Sequence, residues 1–169
     1  MYDATFKIIT FGDRGSGRRT LVQRFLTNLF VTDLPEFDMS FELKSLYVDS
    51  KKVLLNIWNF LEQERKKFLL PTFMRGSQGG LFLYDITNYT SFAHIDDWLS
   101  IIRKEIRAEN SFPIIVVGCK TDLVEDREVS TADGIKIAQS RNANGFVETS
   151  SKTGENIEKA FEVLARLLL

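Results

Sequence analysis

Residues 6–20 have the sequence FKIITFGDRGSGRRT, and they indicate the type of fold. Phe6 to Phe11 form a largely apolar run that stops at a glycine, which predicts a β-strand. Beyond the glycine-rich turn, apolar residues recur at the spacing of one helix face. They are Leu21, Val22, Phe25 and Leu26. A strand, a glycine-rich turn and a helix are therefore predicted in direct succession.

The predicted turn has the pattern G-x-x-x-x-G from Gly12 to Gly17. In such a turn, glycines let backbone N–H groups approach phosphate oxygens, and the dipole of the following helix adds to the attraction. The phosphate-binding loop with this pattern continues with Lys and then Ser or Thr, whereas this chain has Arg18 and Arg19. Two interpretations stay open here: a phosphate-binding loop, or a glycine-rich strand–helix turn with solvated arginines.

Further strands alternate with helices along the rest of the chain. Apolar or alternating runs predict strands at residues 41–48, 53–58, 81–84, 114–117 and 146–147. Apolar helical stripes lie within residues 92–106, 135–138 and 157–168. The turn-like Asp49-Ser50-Lys51 joins the second and third strands into an antiparallel hairpin. The pattern predicts an α/β fold, with a six-stranded, mostly parallel sheet, one antiparallel hairpin edge and about five helices.

Length and composition limit the classes of function. The 169 residues, of which 44% are hydrophobic, suit one domain over residues 1–169 with one core. The 22 basic and 23 acidic residues nearly cancel, so we expect no nucleic-acid partner. The single cysteine, Cys119, allows no internal disulfide and favours a reducing, intracellular and cytoplasmic location.

Membrane attachment is not predicted from these residues. No apolar run is long enough for a membrane span, and neither a signal peptide nor a prenylation cysteine is present. We therefore expect no membrane anchor in this chain, and peripheral membrane association only through a partner or a missing tail.

Several further motifs follow the glycine-rich loop in order. They are IWNFLEQER at residues 57–65, YDITN at 84–88, CKTDL at 119–123 and ETSSKTGEN at 148–156. Together with Ser91-Phe92 and Trp98-Leu99, this set resembles the ordered motifs of the Ras superfamily, and of the Rab family in particular. The resemblance covers nearly the whole chain. It implies a P-loop NTPase with the Ras-like G domain and a guanine nucleotide, GDP or GTP, as the ligand.

The resemblance assigns a guanine site to the loops after the last two strands. Asp122 falls on the aspartate that accepts hydrogen bonds from guanine, whereas adenine lacks the matching pair of donors. Lys120 matches the lysine whose stem lies along the base. Ser150, Ser151 and Lys152 match the loop whose backbone N–H approaches the guanine carbonyl oxygen, with Ser151 in place of the usual alanine.

Two further positions belong to this guanine site by resemblance. Phe30 falls where the family has an aromatic ring against the base, although ordinary packing at a helix end explains it equally well. Cys119 replaces the asparagine that ties the base loop to the phosphate loop. Because a thiol is a weak donor, we expect weaker nucleotide binding.

The phosphate-binding positions carry three arginines. By resemblance the loop consists of Arg14, Gly15, Ser16, Gly17, Arg18, Arg19 and Thr20. Arg18 takes the place of the lysine, and Arg19 takes that of the hydroxyl that binds magnesium, although a guanidinium has no lone pair to offer. Arg14 replaces a small residue beside the γ-phosphate. Either the arginines neutralise the diphosphate in place of a metal, or Arg19 points into solvent.

By resemblance, four positions of the switch segments would act on magnesium and the γ-phosphate. Asn59 replaces the aspartate that holds magnesium through water, and Glu36 stands where a magnesium-binding threonine is usual. Glu62 replaces the glycine that contacts the γ-phosphate. Gln63 matches the catalytic glutamine that orients the attacking water. We therefore assign no metal ligand and leave the binding of Mg²⁺ undecided.

The expected function follows from this mixture of kept and altered positions. We expect an atypical Rab- or Ras-like protein, a monomer that favours GDP, hydrolyses GTP slowly or not at all, and binds protein effectors or regulators through its switch regions. Phe73 and Met74 are expected in core or switch packing, in a segment where exposed apolar residues would suit such a partner. His94 is expected at a partly exposed surface. Two alternatives are a conventional active GTPase and a scaffold that binds no nucleotide.

Overall fold

The computed structural model describes residues 1–34, 39–60 and 68–169. The strands are β1 (Ala4–Phe11), β2 (Met39–Val48), β3 (Lys51–Phe60), β4 (Gly79–Asp85), β5 (Ile114–Cys119) and β6 (Gly145–Glu148). The helices are α1 (Arg18–Thr27), α2 (Leu70–Met74), α3 (Tyr89–Ala93), α4 (Ile95–Glu105), α5 (Thr131–Ser140) and α6 (Ile157–Leu168). A short 3-10 helix spans Val124–Asp126.

The strands form one sheet in the order β2-β3-β1-β4-β5-β6. β2 and β3 pair antiparallel, and the other neighbours pair parallel. Asp49 and Ser50, both with positive φ (48° and 66°), form the hairpin turn, as short polar residues in this conformation do. The predicted six-stranded, mostly parallel sheet with one antiparallel edge is confirmed.

Helices cover the sheet on both faces. On one face, α1 and α6 pack together, and the rings of Phe25 and Phe161 stack 4.0 Å apart. On the other face, α3 and α4 cover β4 and β5 around the buried side chains of Tyr84 and Trp98. The strands in the middle of the sheet are therefore buried on both sides, which explains why β4 and β5 are almost wholly apolar.

The stripe predicted at residues 92–106 lies in two consecutive helices. α3 ends and α4 begins at His94, and the side chain of Asn88 caps α3 by accepting from the N–H of Ser91. Because only His94 separates the two segments, they cover the sheet as one helical layer. Counted in this way, the helices of the described residues agree with the predicted number of about five.

Phe73 and Met74 pack in the core, as expected, so they do not offer an exposed surface to a partner. Both side chains are only 5% exposed, because α2 turns its apolar residues toward the sheet. The ring of Phe73 lies 5.1 Å from that of Trp58 and 5.3 Å from that of Phe60.

No helix among residues 1–34, 39–60 and 68–169 is both long and apolar enough to cross a membrane.

Candidate functional site

A cavity of about 370 Å³ opens at the carboxyl ends of the parallel strands. Its lining residues are Gly17, Thr20, Phe30, Thr32, Cys119, Lys120, Asp122, Leu123, Ser151 and Lys152. Eight of these ten are predicted site residues, so the structure brings the base loops and the start of α1 together around one space. Thr32 and Leu123 were not predicted as site residues: Thr32 lies outside the quoted motifs, and Leu123 ends the CKTDL motif without an assigned role.

The glycine-rich loop depends on the absence of side chains. Gly12 has φ 140°, and a Cβ there would lie 2.2 Å from the carbonyl oxygen of Leu83 on β4. Gly17, with φ 98°, is the N-cap of α1, and a Cβ there would lie 3.6 Å from Cβ of Cys119. The loop therefore passes close to both β4 and β5, which a larger residue at Gly12 would prevent.

The interior of this loop carries an unusual buried hydroxyl. Ser16 is fully buried, and its Oγ meets no hydrogen-bond partner among the described residues. Arg18 is also buried, whereas Arg14 is exposed. A buried polar atom of this kind is costly unless something accepts or donates to it. The loop therefore fits a ligand with oxygen atoms, as a phosphate has.

Lys120 connects the base loop to the phosphate loop. Its Nζ donates to the carbonyl oxygen of Gly15 at 2.8 Å and to Oδ2 of Asp85 at 2.7 Å. Thr87 donates to the other oxygen of Asp85 through both its N–H and its hydroxyl. The replacement of asparagine by Cys119 was expected to remove a contact between the base loop and the phosphate loop. Lys120 supplies part of that contact. Asp85 was not predicted as part of the site.

Cys119 itself behaves as a small apolar side chain. It is almost completely buried, and burial raises the pKa of its thiol to about 12. Its Sγ lies 3.9 Å from the carbonyl oxygen of Val117. The thiol is therefore neutral at ordinary pH and fills the space beneath Gly17.

The carboxylate of Asp122 is oriented by a neighbouring loop. The hydroxyl of Ser150 donates to Oδ1 of Asp122 at 2.7 Å and accepts from the N–H of Thr153 at 3.1 Å. The N–H of Ser150 donates to the carbonyl oxygen of Glu155, so Ser150 acts here through its hydroxyl. This contact joins the two base loops beside the cavity and holds the carboxylate in one direction.

The side chain of Arg19 does not simply extend into solvent. Its Nη1 donates to the carbonyl oxygen of Leu34 at 3.0 Å, which joins the first turn of α1 to the segment that follows this helix. A guanidinium keeps its charge at any ordinary pH and offers only donors. A cation therefore stands where the resemblance expects a metal-binding hydroxyl.

Asn59 is turned into the sheet. It is buried, and its Oδ1 accepts a hydrogen bond from the hydroxyl of Thr10 at 2.5 Å, across the β1–β3 pair. Together with the guanidinium of Arg19, an amide oxygen held in this way does not fit a magnesium site. Glu36, Glu62 and Gln63 lie outside the described residues.

A contact that was not predicted holds the phosphate loop from the other side. Oδ1 of Asp13 accepts from the indole N–H of Trp98 at 2.8 Å, and Oδ2 lies 2.5 Å from Nδ1 of His94. His94 is half exposed, as expected, but its ring is paired with the loop. Chain positions more than 80 residues apart meet here, which no local pattern could indicate.

Comparison with known proteins agrees with this geometry. A family model described as the Ras family matches residues 7–169. Ras-related protein Rab-1 of Theileria parva is 37% identical over 169 residues, covering 99% of this chain and 76% of the relative. GTP-binding protein ypt3 of Schizosaccharomyces pombe is 35% identical over 164 residues, covering 96% and 75%. Ras-related protein Rab-8B of Homo sapiens is 36% identical over 166 residues, covering 98% and 79%.

Proposed function

The chain belongs to the Ras family, and from that premise we propose that it is an atypical, Rab-like guanine-nucleotide-binding protein that favours GDP and hydrolyses GTP slowly or not at all. The observation that carries this proposal is the hydrogen bond from Arg19 to Leu34 at the position of the expected metal-binding hydroxyl. The hydrogen bond holds the guanidinium of Arg19 at this end of the site, where its positive charge is present without a metal.

The base specificity rests on Asp122. Its carboxylate faces the cavity region lined by Phe30, Lys120 and Lys152, and Ser150 fixes its direction. Guanine offers two donors to such a carboxylate, whereas adenine presents an acceptor at the matching ring nitrogen, which would face the carboxylate unfavourably. One relative in the comparison is itself named a GTP-binding protein, which supports a guanine nucleotide here.

The diphosphate would be held by backbone and arginine together. Gly15 and Gly17 present the backbone of the loop, and the buried Arg18 lies at the start of α1, where the helix dipole also attracts an anion. Arginine binds phosphate through two parallel hydrogen bonds and stays charged. We propose that Arg18 and Arg19 replace the charge that Mg²⁺ would supply to a bound diphosphate.

Slow hydrolysis follows from the same substitutions. Phosphoryl transfer in this class of protein depends on positioning and on neutralising charge at the γ-phosphate. The amide oxygen of Asn59 is engaged by Thr10, and at least one donor of Arg19 is engaged by Leu34. The guanidinium of Arg19 can bind a diphosphate, but neither side chain provides the metal geometry that speeds the attack of water.

Protein partners would bind the uncovered face of the β2–β3 hairpin. Phe41 is 66% exposed, Leu43 61% and Tyr47 70%, and Phe68, which precedes α2, is 74% exposed. Phe41 stacks on Trp58 at 5.6 Å, so that the aromatic surface is fixed in place. Exposed apolar patches of this kind mark protein-binding surfaces.

Three measurements on the purified protein test the proposal. Nucleotide released by denaturation is identified by chromatography, and we expect GDP. The release rate of bound GDP is compared with and without EDTA, and we expect little change. Single-turnover hydrolysis of GTP with Mg²⁺ is compared with that of the triple variant Arg19→Ser, Asn59→Asp and Glu62→Gly, in which we expect faster turnover.

Each alternative gives a different result in these measurements. Absence of any co-purified or rebinding guanine nucleotide would indicate a nucleotide-free scaffold. Magnesium-stimulated hydrolysis in the unmodified protein, equal to that of the triple variant, would indicate a conventional GTPase.

A further inference from the structure

β2 forms an edge of the sheet, and β3 is its only strand neighbour among the described residues. The strand is 10 residues long, which leaves a long row of backbone groups available for pairing. Proteins usually protect such an edge by a short strand, a proline, a covering element or charged side chains. β2 is long and contains no proline, and its two charged side chains, Glu42 and Lys44, have opposite signs, so the edge is suited to adding a strand whose charges match them.

We propose that β2 pairs antiparallel with β2 of a second copy of this chain, about a two-fold axis that passes between the two Leu43 residues. This joins the two sheets into one continuous sheet. The proposal goes beyond nucleotide binding and differs from the monomer expected from the sequence.

The charges of β2 select this register. Side chains of opposite residues in an antiparallel pair lie on the same face of the sheet, so a symmetric pair must place its axis at a residue. With the axis at Leu43, Glu42 of each copy lies opposite Lys44 of the other. With the axis at Glu42 or at Lys44, like charges would lie directly opposite one another. The register centred on Leu43 therefore gives two ion pairs, whereas the registers centred on Glu42 or Lys44 give repulsion between like charges.

Lys44 is already positioned near this edge. Its Nζ donates to the carbonyl oxygen of Leu26 at 3.2 Å and lies 5.8 Å from the centre of the Phe25 ring. An ammonium group has three donors, so this contact leaves others for a carboxylate. Glu42 is exposed beside it. The contacts to α1 thus hold the lysine stem in place before a second copy arrives.

The opposite face of the same pairing is apolar. The axis at Leu43 places the two Leu43 side chains together and Met39 of each copy opposite Tyr47 of the other. In the single chain these side chains are 61%, 48% and 70% exposed. Cross-strand apolar pairs of this type stabilise a sheet. One register therefore satisfies the charged face and the apolar face at the same time.

The dimer would be weak, because a single strand pair buries less surface than a standard protein interface. Sedimentation velocity of the full chain should therefore be run from about 10 µM to about 500 µM, the range in which weak association becomes visible. We expect a reversible shift from monomer to dimer over this range.

Charge exchange gives the decisive test. Glu42→Lys puts two lysines opposite each other, and Lys44→Glu puts two glutamates opposite each other, so each variant alone should dissociate on the order of tenfold more readily. An equimolar mixture of the two variants restores both opposite-charge pairs in a mixed dimer. The double variant Glu42→Lys, Lys44→Glu restores them in a symmetric one. Lys136→Glu, on α5 beside the far edge of the sheet, is the matched control and should dimerise normally.

Several results would overturn the proposal. These are a monomer at every concentration, a dimer that neither single variant weakens, or a mixture that is no more dimeric than its separate components. Sedimentation measures mass and needs neither nucleotide nor magnesium. A negative result would therefore contradict the dimer without bearing on the proposed nucleotide binding.

Discussion

Arg19 donates a hydrogen bond from Nη1 to the carbonyl oxygen of Leu34, 3.0 Å away. The contact joins the segment that follows α1 to the first turn of that helix. Since the guanidinium carries a permanent charge, it places a cation beside the phosphate loop that neither pH nor a chelator removes.

The first prediction concerns release of GDP. Arg19→Ser with Asn59→Asp should make release sensitive to EDTA, because the pair supplies a hydroxyl and a carboxylate that suit Mg²⁺. The unmodified protein should be insensitive. Stopped-flow release of a fluorescent GDP analogue, with and without EDTA, measures both.

Arg19→Ala is the control for this prediction. It removes the contact to Leu34 without adding a metal ligand, and a charge-assisted hydrogen bond contributes about 1.5–3 kcal/mol. Release should therefore become faster by roughly ten- to a hundredfold, equally with and without EDTA. A large acceleration by EDTA in the unmodified protein would contradict the prediction.

The second prediction concerns the choice of base. Asp122→Ala should remove most of the preference for GDP over ADP, which we expect to be roughly tenfold or more, since an unpaired buried polar group costs about 1–3 kcal/mol. Ser150→Ala should weaken the preference partly, because it frees the carboxylate that Ser150 orients. Titration calorimetry with both nucleotides measures the ratio.

Asp126→Ala tests whether any aspartate near this loop has the same effect. Asp126 is exposed in the short 3-10 helix and does not line the cavity, so its variant should keep the preference. Equal affinities for GDP and ADP in the unmodified protein would show that Asp122 does not read the base.

The third prediction concerns the backbone of the phosphate loop. Gly12→Ala should destabilise the protein severely, because the new Cβ would lie 2.2 Å from the carbonyl oxygen of Leu83. Gly76→Ala is the matched control: Gly76 also has positive φ, but a Cβ there meets nothing within 4 Å. Strain at φ alone costs about 1–3 kcal/mol. Chemical unfolding should show a clearly larger loss for Gly12→Ala, and equal losses would contradict the prediction.

The fourth prediction concerns Cys119 at high pH. Burial raises the pKa of its thiol from the ordinary 9.0 to about 12 in the folded chain. The unfolded chain therefore loses this proton first as the pH rises, and the free energy of unfolding falls between about pH 9 and pH 12. The slope from this group is at most about 1.4 kcal/mol per pH unit.

Cys119→Ala isolates that contribution. The variant lacks the thiol but keeps the other groups that titrate in this range, such as Tyr84, whose pKa burial also raises. Urea unfolding at about pH 8 and about pH 10.5 should show a smaller decrease in the variant than in the unmodified protein. Identical decreases would mean that the thiol does not remain protonated in the folded chain.

The arrangement of strands and helices was predictable because it depends on local patterns. Alternating and apolar runs indicated each of the six strands within a few residues, and the order of strands and helices required a mostly parallel sheet. The glycine-rich loop and the motif after β5 were likewise visible, since residue type and spacing carry them. These features can be predicted without knowing which residues distant in the sequence come into contact.

The directions of the functional side chains depended on the tertiary structure. Asn59 bonds to Thr10, 49 positions away, and Lys120 bonds to Gly15, 105 positions away. The burial of Phe73 also follows from where α2 packs on the sheet. Spacing along the chain determines which face of a strand or helix a residue occupies, but a polar side chain chooses its partner only after packing has brought the candidates within about 3 Å.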